Sequence, residues 1–477
     1  MKRSVASLGV ALLLSGCVMG PDYVAPQPAA IGVPAQYAPP ATGSEPVGPR
    51  AAAEDLSTWW RQLNDPLLSD LIARATAGNL QIAQSLARLS QAREERIRAG
   101  GDLLPTLNGS GGVGRNVSRG GGRLSSDAQL SVGGDASWQA DIFGRLKRGL
   151  QAARSDETAA LFDLEGVRTS VAGEVATNYI NARLAQTRLE VARSTLGTQD
   201  DNLQIARWRV QAGLVSSLDV EQARAQRAQT AASIPSLETA YLRPVARLGT
   251  LTGQAPGALR SEMDAAAPIP RGPNAIGIGI PADTLRRRPD VRSAERQLEA
   301  ATARIGVAQA ALYPALSISG NLDTNARSVG NLGSLITGGL IAGVTQAIFD
   351  AGRRRSQVRS TRAAADIAFS NYKQTVISGL EDVEVAVQAL NAAKARQVHL
   401  AIALDASNNA ALYARSQYQS GLIDFLRLLQ SEQALLSARD QLASAQADQA
   451  LALVQLYLAL GGGWQPENTH HQGLSHD

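Results

Sequence analysis

The chain alternates between two periods of hydrophobicity. From 128 to 142 the even positions read Ala128, Leu130, Val132, Gly134, Ala136, Trp138, Ala140 and Ile142. The odd ones read Gln129, Ser131, Gly133, Asp135, Ser137, Gln139 and Asp141. A period of two over this length predicts a strand with one apolar and one polar face. Residues 107–118 alternate in the same way, with Leu107, Val113 and Val117 opposite Asn108, Ser110 and Asn116. A second pair follows, with Leu316, Ile318 and Leu322 against Ser317, Ser319, Asn321 and Asp323. Its partner at 335–349 is noisier and carries Leu340, Ala342, Val344 and Ile348. The predicted elements are β-hairpins at 105–142 and 314–349.

Around the hairpins the period becomes helical. A first helix is predicted over about 66–100, with Leu67, Leu71, Ile72, Leu80, Ala83 and Leu86 on one face and Pro105 as its stop. From Arg145 to Gln211 only Gly149, Gly166, Gly173 and Gly197 interrupt the pattern, and 353–419 matches it. Such a run at 1.5 Å per residue is roughly 100 Å long. Return helices are predicted over 216–250 and 422–460. In the last, Leu422, Leu429, Leu436, Ala443, Ala450 and Tyr457 recur every seven residues, beside the row Leu428, Leu435, Leu442. Sustained sevens mean helices coiling side by side.

The two halves are copies at a spacing near 208 residues. Gln211-Ala212-Gly213-Leu214-Val215 answers Gln419-Ser420-Gly421-Leu422-Ile423, and Gly144-Arg145 answers Gly352-Arg353. Leu104-Pro105-Thr106-Leu107 answers Leu312-Tyr313-Pro314-Ala315-Leu316. So long a period means two copies of one large unit. Long strands that alternate apolar and polar residues are the mark of a membrane barrel, or of a soluble sheet with one wet face. Four strands cannot close a barrel in lipid. Two chains would give eight strands and a filled interior, and three would give twelve and a lumen. An antiparallel bundle accounts for the helices but leaves the hairpins without a role.

The N-terminus changes the picture of where this happens. Lys2 and Arg3 precede the short apolar stretch Val5–Leu14, and Leu14-Ser15-Gly16-Cys17 follows. This order resembles the lipobox of bacterial lipoproteins: a signal peptide over 1–16, cleavage, then N-acyl (palmitate) and diacylglycerol lipid on Cys17. Val18 in place of Asp favours the outer membrane by the lipoprotein sorting rule. Eight prolines between residues 18 and 55 predict an extended arm over 17–55.

Composition excludes more than it suggests. The chain has 477 residues, one Cys, and 46 basic against 42 acidic side chains. A single Cys leaves no disulfide framework or thiolate metal site, and nothing combines basic and aromatic residues as a nucleic-acid surface does. No catalytic set stands out, and Gly120-Gly121-Gly122 and Gly461-Gly462-Gly463 lack the context of a phosphate loop. The reading is therefore not an enzyme, with no cofactor beyond the lipid and no metal site. His399 is expected exposed on a helix, and His470, His471 and His476 fall in a flexible tail over 465–477. Arg286-Arg287-Arg288 is expected to pair with acidic neighbours at a helix start.

One set of motifs runs through nearly the whole chain. It comprises Cys17-Val-Met-Gly-Pro-Asp-Tyr23, Trp59-Trp60 with Asn64-Asp65-Pro66-Leu67, Trp138-Gln-Ala-Asp-Ile-Phe-Gly-Arg145, and Ala212-Gly213-Leu214 with Leu218-Asp219-Val220. It continues with Arg287-Arg-Pro-Asp-Val291 and Ala294-Glu295, Ile305-Gly-Val-Ala308, Phe349-Asp-Ala-Gly-Arg353 and Ala459-Leu-Gly-Gly-Gly-Trp464. In this the chain resembles the TolC-like outer-membrane factors, in the acylated efflux-lipoprotein branch of NodT and OprM. The resemblance implies a mainly α chain with a membrane β part. It implies a homotrimer that forms a 12-stranded barrel and a 12-helix periplasmic tunnel. It also implies a gated exit duct for small molecules, driven by an inner-membrane pump, of the RND type, through a periplasmic adaptor. A conduit for type I polypeptide secretion and a non-conducting coiled-coil lipoprotein are the alternatives. The first repeat then covers 56–255, a connection 256–285 and the second repeat 286–464.

The resemblance also implies a constriction at the periplasmic helix turns, here near Gly213 and Gly421. Asp219 stands six residues after the first glycine, and Arg427 holds the same offset in the second repeat. Where relatives carry an acidic residue, Leu428-Leu429-Gln430 offers Gln430. A mixed Asp219/Arg427 ring, a salt bridge between them, and a part for Asp424 are all open. So is the plainer reading, in which Asp219 and Asp424 lie in solvated first turns favoured by the helix dipole.

Overall fold

The computed structural model describes residues 18–35, 56–121, 123–273 and 281–465. Cys17, the signal peptide, residues 36–55 of the arm, residues 274–280 of the connection and His470, His471 and His476 lie outside the described residues. The chain divides into two compact units.

The first unit contains the chain up to Pro26, Ala87–Phe162 and Arg292–Gln374. Its centre is one antiparallel sheet in the order β1 (Thr106–Gly120), β2 (Arg123–Ala140), β3 (Ala315–Ala326), β4 (Ile336–Thr345). The two hairpins, far apart in sequence, therefore lie edge to edge. Residues paired directly across neighbouring strands share a face, so the register tests the alternation. Leu107 pairs with Ala136, Ala136 with Gly320, and Gly320 with Leu340. Trp138, Ile318 and Ala342 form a second apolar row, and Ala140, Leu316 and Val344 a third. Asn108, Asp135 and Asn321 lie in one row on the opposite face. There Asn108 donates from Nδ2 to Asp135 Oδ2 at 2.9 Å. The first row thus crosses all four strands, and the other two cross β2, β3 and β4, on the same face. Ile341, opposite Ser319, breaks the polar side in the strand whose pattern was noisiest. β1 and β4 each keep one unpaired edge.

The second unit contains Gln27–Leu86, Asp163–Val291 and the chain from Thr375. The first helix expected over 66–100 is two helices, α1 (Pro66–Gly78) and α2 (Leu80–Gly101). The break is Asn79, whose backbone is extended at ψ 129°. Its side-chain oxygen accepts from the N–H groups of Gln81 (2.8 Å) and Ile82 (3.3 Å). An asparagine that caps a new helix start competes with continuation of the old one. α1 itself starts at Pro66 behind Asp65, whose Oδ1 accepts from Leu68 N–H at 3.0 Å.

The long helices match expectation closely: α3 is Arg145–Gln211 and α4 is Ser217–Leu251. Two short helices, α5 (Arg260–Met263) and α6 (Pro281–Arg287), precede α7 (Pro289–Ala310). Then come α8 (Arg353–Gln419) and α9 (Phe425–Ala459). Alanines of α9 (Ala443, Ala445, Ala447, Ala450) are buried, which lets neighbouring helices approach closely. In this unit Trp59 is fully buried and stacks on Tyr457 at 5.5 Å. Arg183, 2% exposed, donates to the carbonyls of Met263 (3.2 Å) and Ala265 (2.8 Å). Arg288 pairs with Asp290 (2.7 Å) and Asp382 (2.9 Å), as the acidic neighbours of its run suggested. His399 is exposed on α8.

Candidate functional site: the turns between the long helices

Both long helices end in the same way. Gly213 has φ +69° and Gly421 has φ +77°, a backbone region that side chains disfavour. Leu214 N–H reaches back to Arg209 O at 2.9 Å and Leu422 N–H to Gln417 O at 2.8 Å. Glycine N–H groups donate to Val210 O (2.9 Å) and Tyr418 O (3.0 Å). This bond pair satisfies carbonyls that the helix end would leave open. Two residues on from each turn a new helix is capped. Ser216 Oγ accepts from Leu218 N–H at 3.2 Å, and Asp424 Oδ1 from Arg427 N–H at 2.9 Å.

The turns differ in where they carry charge. In the first repeat a serine caps and Asp219 occupies the third helical position. In the second an aspartate caps and Arg427 occupies that position. A carboxylate in a first turn is favoured by the helix dipole, and a cation there is not unless a cap such as Asp424 offsets it. Asp424, Arg427 and Gln430 are exposed and Asp219 is half-buried.

Two residues that the sequence pattern did not single out join the turns. Arg209 Nη1 donates to Tyr418 O at 2.6 Å, and its guanidinium lies 4.6 Å from the Tyr418 ring centroid. Tyr418 is buried, edge-on to Phe425 at 5.6 Å, in a cluster with Leu203, Ala223, Ala414 and Leu428. Burial pushes the Asp219 carboxyl above its ordinary value. Arg209 pulls it down and Asp424 pushes it up. Burial also raises the Tyr418 phenol, with Arg209 acting against it and Asp219 with it. Asp219, Asp424, Arg209 and Tyr418 are therefore one electrostatic group. Within one chain the charges that shift Asp219 are those of Arg209 and Asp424. The signal that could have marked Arg209 is a departure from the repeat: position 417, its counterpart, is Gln. Outside this cluster Leu214, Leu218, Leu422 and Leu426 stand exposed at the turns.

The sequence profile described as "Outer membrane efflux protein" matches residues 71–254 and 280–462. The chain belongs to the outer membrane efflux protein family. The two matched spans are the two halves of the duplication. The chain is similar to Nodulation protein T of Rhizobium leguminosarum bv. trifolii, at 29% identity over 95% of this chain and 96% of that one. It is equally similar to the pyoverdine export outer membrane protein OpmQ of Pseudomonas aeruginosa, at 29% identity over 99% of each. Among solved structures, the outer-membrane channel OprN superposes with a TM-score of 0.85 at 34% identity. That alignment covers 94% of this chain and 100% of OprN. An outer membrane efflux protein needs strands with a lipid-compatible face and a body that reaches into the periplasm, and the sheet and long helices provide these elements.

Proposed function

We propose that three copies of this chain form a passive, gated exit duct for small molecules. In this reading an inner-membrane pump of the RND type drives it through a periplasmic adaptor. The observation that carries the proposal is the sheet: four strands whose rows Leu107–Ala136–Gly320–Leu340, Trp138–Ile318–Ala342 and Ala140–Leu316–Val344 put apolar side chains on one face, and two open edges. Unpaired edges are excluded from hydrocarbon, so copies must join β4 to β1. Three copies give twelve strands and an open lumen, whereas two give a barrel whose side chains fill it. The same closure sets the long helices side by side as a twelve-helix tunnel. OpmQ is named for pyoverdine export, which supports a small-molecule cargo. No chemistry is performed on it.

The helix turns are the proposed gate. A ring of side chains from identical chains sets the charge of a pore. Here Asp219 and Asp424 supply acidic groups, Arg427 a counter-charge, and Gln430 a neutral position one turn on. Gly213 and Gly421 form the reversals, and the exposed leucines around them are where the adaptor would dock. Cys17 would carry N-acyl and diacylglycerol lipid, since several chains anchor stably where one does not.

The test is accumulation of drugs and dyes in cells that lack this gene, with and without a restoring copy. Accumulation that the copy reverses is the expected result, and the affected compounds identify the pump. Unchanged accumulation together with loss of a secreted polypeptide would replace this reading with a type I secretion conduit. Loss of neither, with no conductance in bilayers, would leave a structural lipoprotein.

A further inference from the structure

The apolar face of the sheet carries charge at one end only. On β1 that face holds Leu107, Val113 and Val117, and alternation puts Arg115 and Arg119 on it too. The register agrees, pairing Arg115 with Ala128 and Arg119 with Leu124. The other ionisable residues of the four strands are Arg123, Asp127, Asp135 and Asp323, and all belong to the opposite face. The apolar face thus bears two arginines and no acid, and both arginines lie toward the hairpin tip.

The apolar rows set the level at which they stand. These rows run from Ala140–Leu316–Val344, where β2 leads into α3, to Val113–Leu130–Ala326. Ten steps of β2 separate the two. At about 3.4 Å per step and a tilt near 40° they span roughly 26 Å, the height of the apolar band on a membrane barrel. Arg115 stands one row beyond the band and Arg119 three rows beyond, with the exposed Val117 between them.

Closure of the sheet joins β1 of one copy to β4 of the next. Residues 327–345, which are β4 and the loop before it, contain no Asp or Glu and add Arg327, which is exposed. The neighbouring copy therefore brings no acid to this rim, and the rim stays cationic in the assembly. A guanidinium just past the hydrocarbon lays its stem along apolar surface and holds its charge at headgroup level.

We propose that Arg115 and Arg119, repeated in each copy, form a girdle that binds the phosphate groups of outer-leaflet lipid. The proposal rests on the barrel reading given above. Arginine takes a phosphate by two parallel hydrogen bonds, which lysine cannot do. The four steps between the two residues are about 13 Å along the strand. That is too far for one phosphate to bridge, so each arginine holds its own. Bound in this way, the lipid fixes the depth of the sheet in the bilayer from its outer end.

The test reconstitutes the full-length chain, purified as its heat-resistant assembly, in nanodiscs of phosphatidylcholine doped with bisphosphorylated lipid A. Native mass spectrometry counts the lipid A that stays bound. The parent should retain it, and Arg115→Gln combined with Arg119→Gln should retain about tenfold less. Arg115→Lys combined with Arg119→Lys should fall between the two, because the charge remains and the fork is lost. Arg123→Gln removes a charge from the same hairpin on the polar face and should match the parent. Lipid A stripped of its phosphates should be retained no better than phosphatidylcholine. Displacement of lipid A by inorganic phosphate, but not by chloride at equal ionic strength, would assign the site to a free anion and overturn the girdle. Equal retention in the double Gln variant, with trimers and conductance intact, would overturn the girdle and leave the duct standing. A parent chain that gives neither trimers nor conductance would overturn both.

Discussion

Arg209 shows what pattern reading cannot reach. Its chemistry depends on Tyr418, a residue that lies more than two hundred positions away and on another helix. Nothing in local periodicity links them. Asp219 could be picked out by its place after Gly213, but its environment could not. Burial and Asp424 hold its carboxyl above the ordinary value while Arg209 opposes them. For a raised carboxyl, the packed turn is most stable below the ordinary carboxylate range and loses that contribution as pH rises through the raised value. Asp219→Asn removes this dependence. Single-channel recordings between pH 4 and 7 should therefore show a weaker pH response of the closed fraction in Asp219→Asn than in the parent. The cation preference in a salt gradient should also fall. An identical pH response in both would mean that Asp219 does not sense the turn.

At the scale of elements the sequence was far more informative, because helices and strands are set by periods that need no tertiary context. The ends of α3 and α8 fell at the residues expected, where glycine turns stop the pattern. The alternating faces of β2 and β3 survived in the register. The break at Asn79 was missed because the apolar face runs straight through it, and the cap that decides it is a side-chain bond. Pro235 and Pro244 lie inside α4, a second case in which packing overrides a local preference. Capping also tells which short helix is most vulnerable. Asp65 caps α1 with one oxygen and accepts from the buried Tyr179 hydroxyl at 2.7 Å with the other. Asp65→Ala removes both bonds and should destabilise the second unit by about 1–3 kcal/mol. Urea unfolding followed by the fluorescence of the nearby tryptophans would measure it. Asp65→Asn, which keeps the cap, should lose less.

For the whole molecule, the decisive quantity is which face of the sheet meets lipid. Val132 and Ser131 are neighbours, and the register puts them on opposite faces. Val132 lies in the row of Gly111 and Thr324, and Ser131 opposite Gly112 and Asn325. A lysine on the lipid face of a membrane strand costs about 2–4 kcal/mol near the midplane. In an assembly of three copies that penalty is paid at three symmetric positions. Val132→Lys should therefore abolish heat-resistant trimers in outer-membrane fractions. Ser131→Lys, one residue away with the same added charge, should assemble normally and shift the conductance of the duct toward anions, since it would face the lumen. A soluble sheet with one wet face would also reject lysine on its packed side and accept it on the other, so the conductance shift in Ser131→Lys, which only a lumen gives, is what separates a membrane barrel from such a sheet. Normal trimers from Val132→Lys would show that the apolar face is not the lipid face. The twelve-stranded closure would then have to be abandoned, and with it the bore that the long helices are proposed to continue.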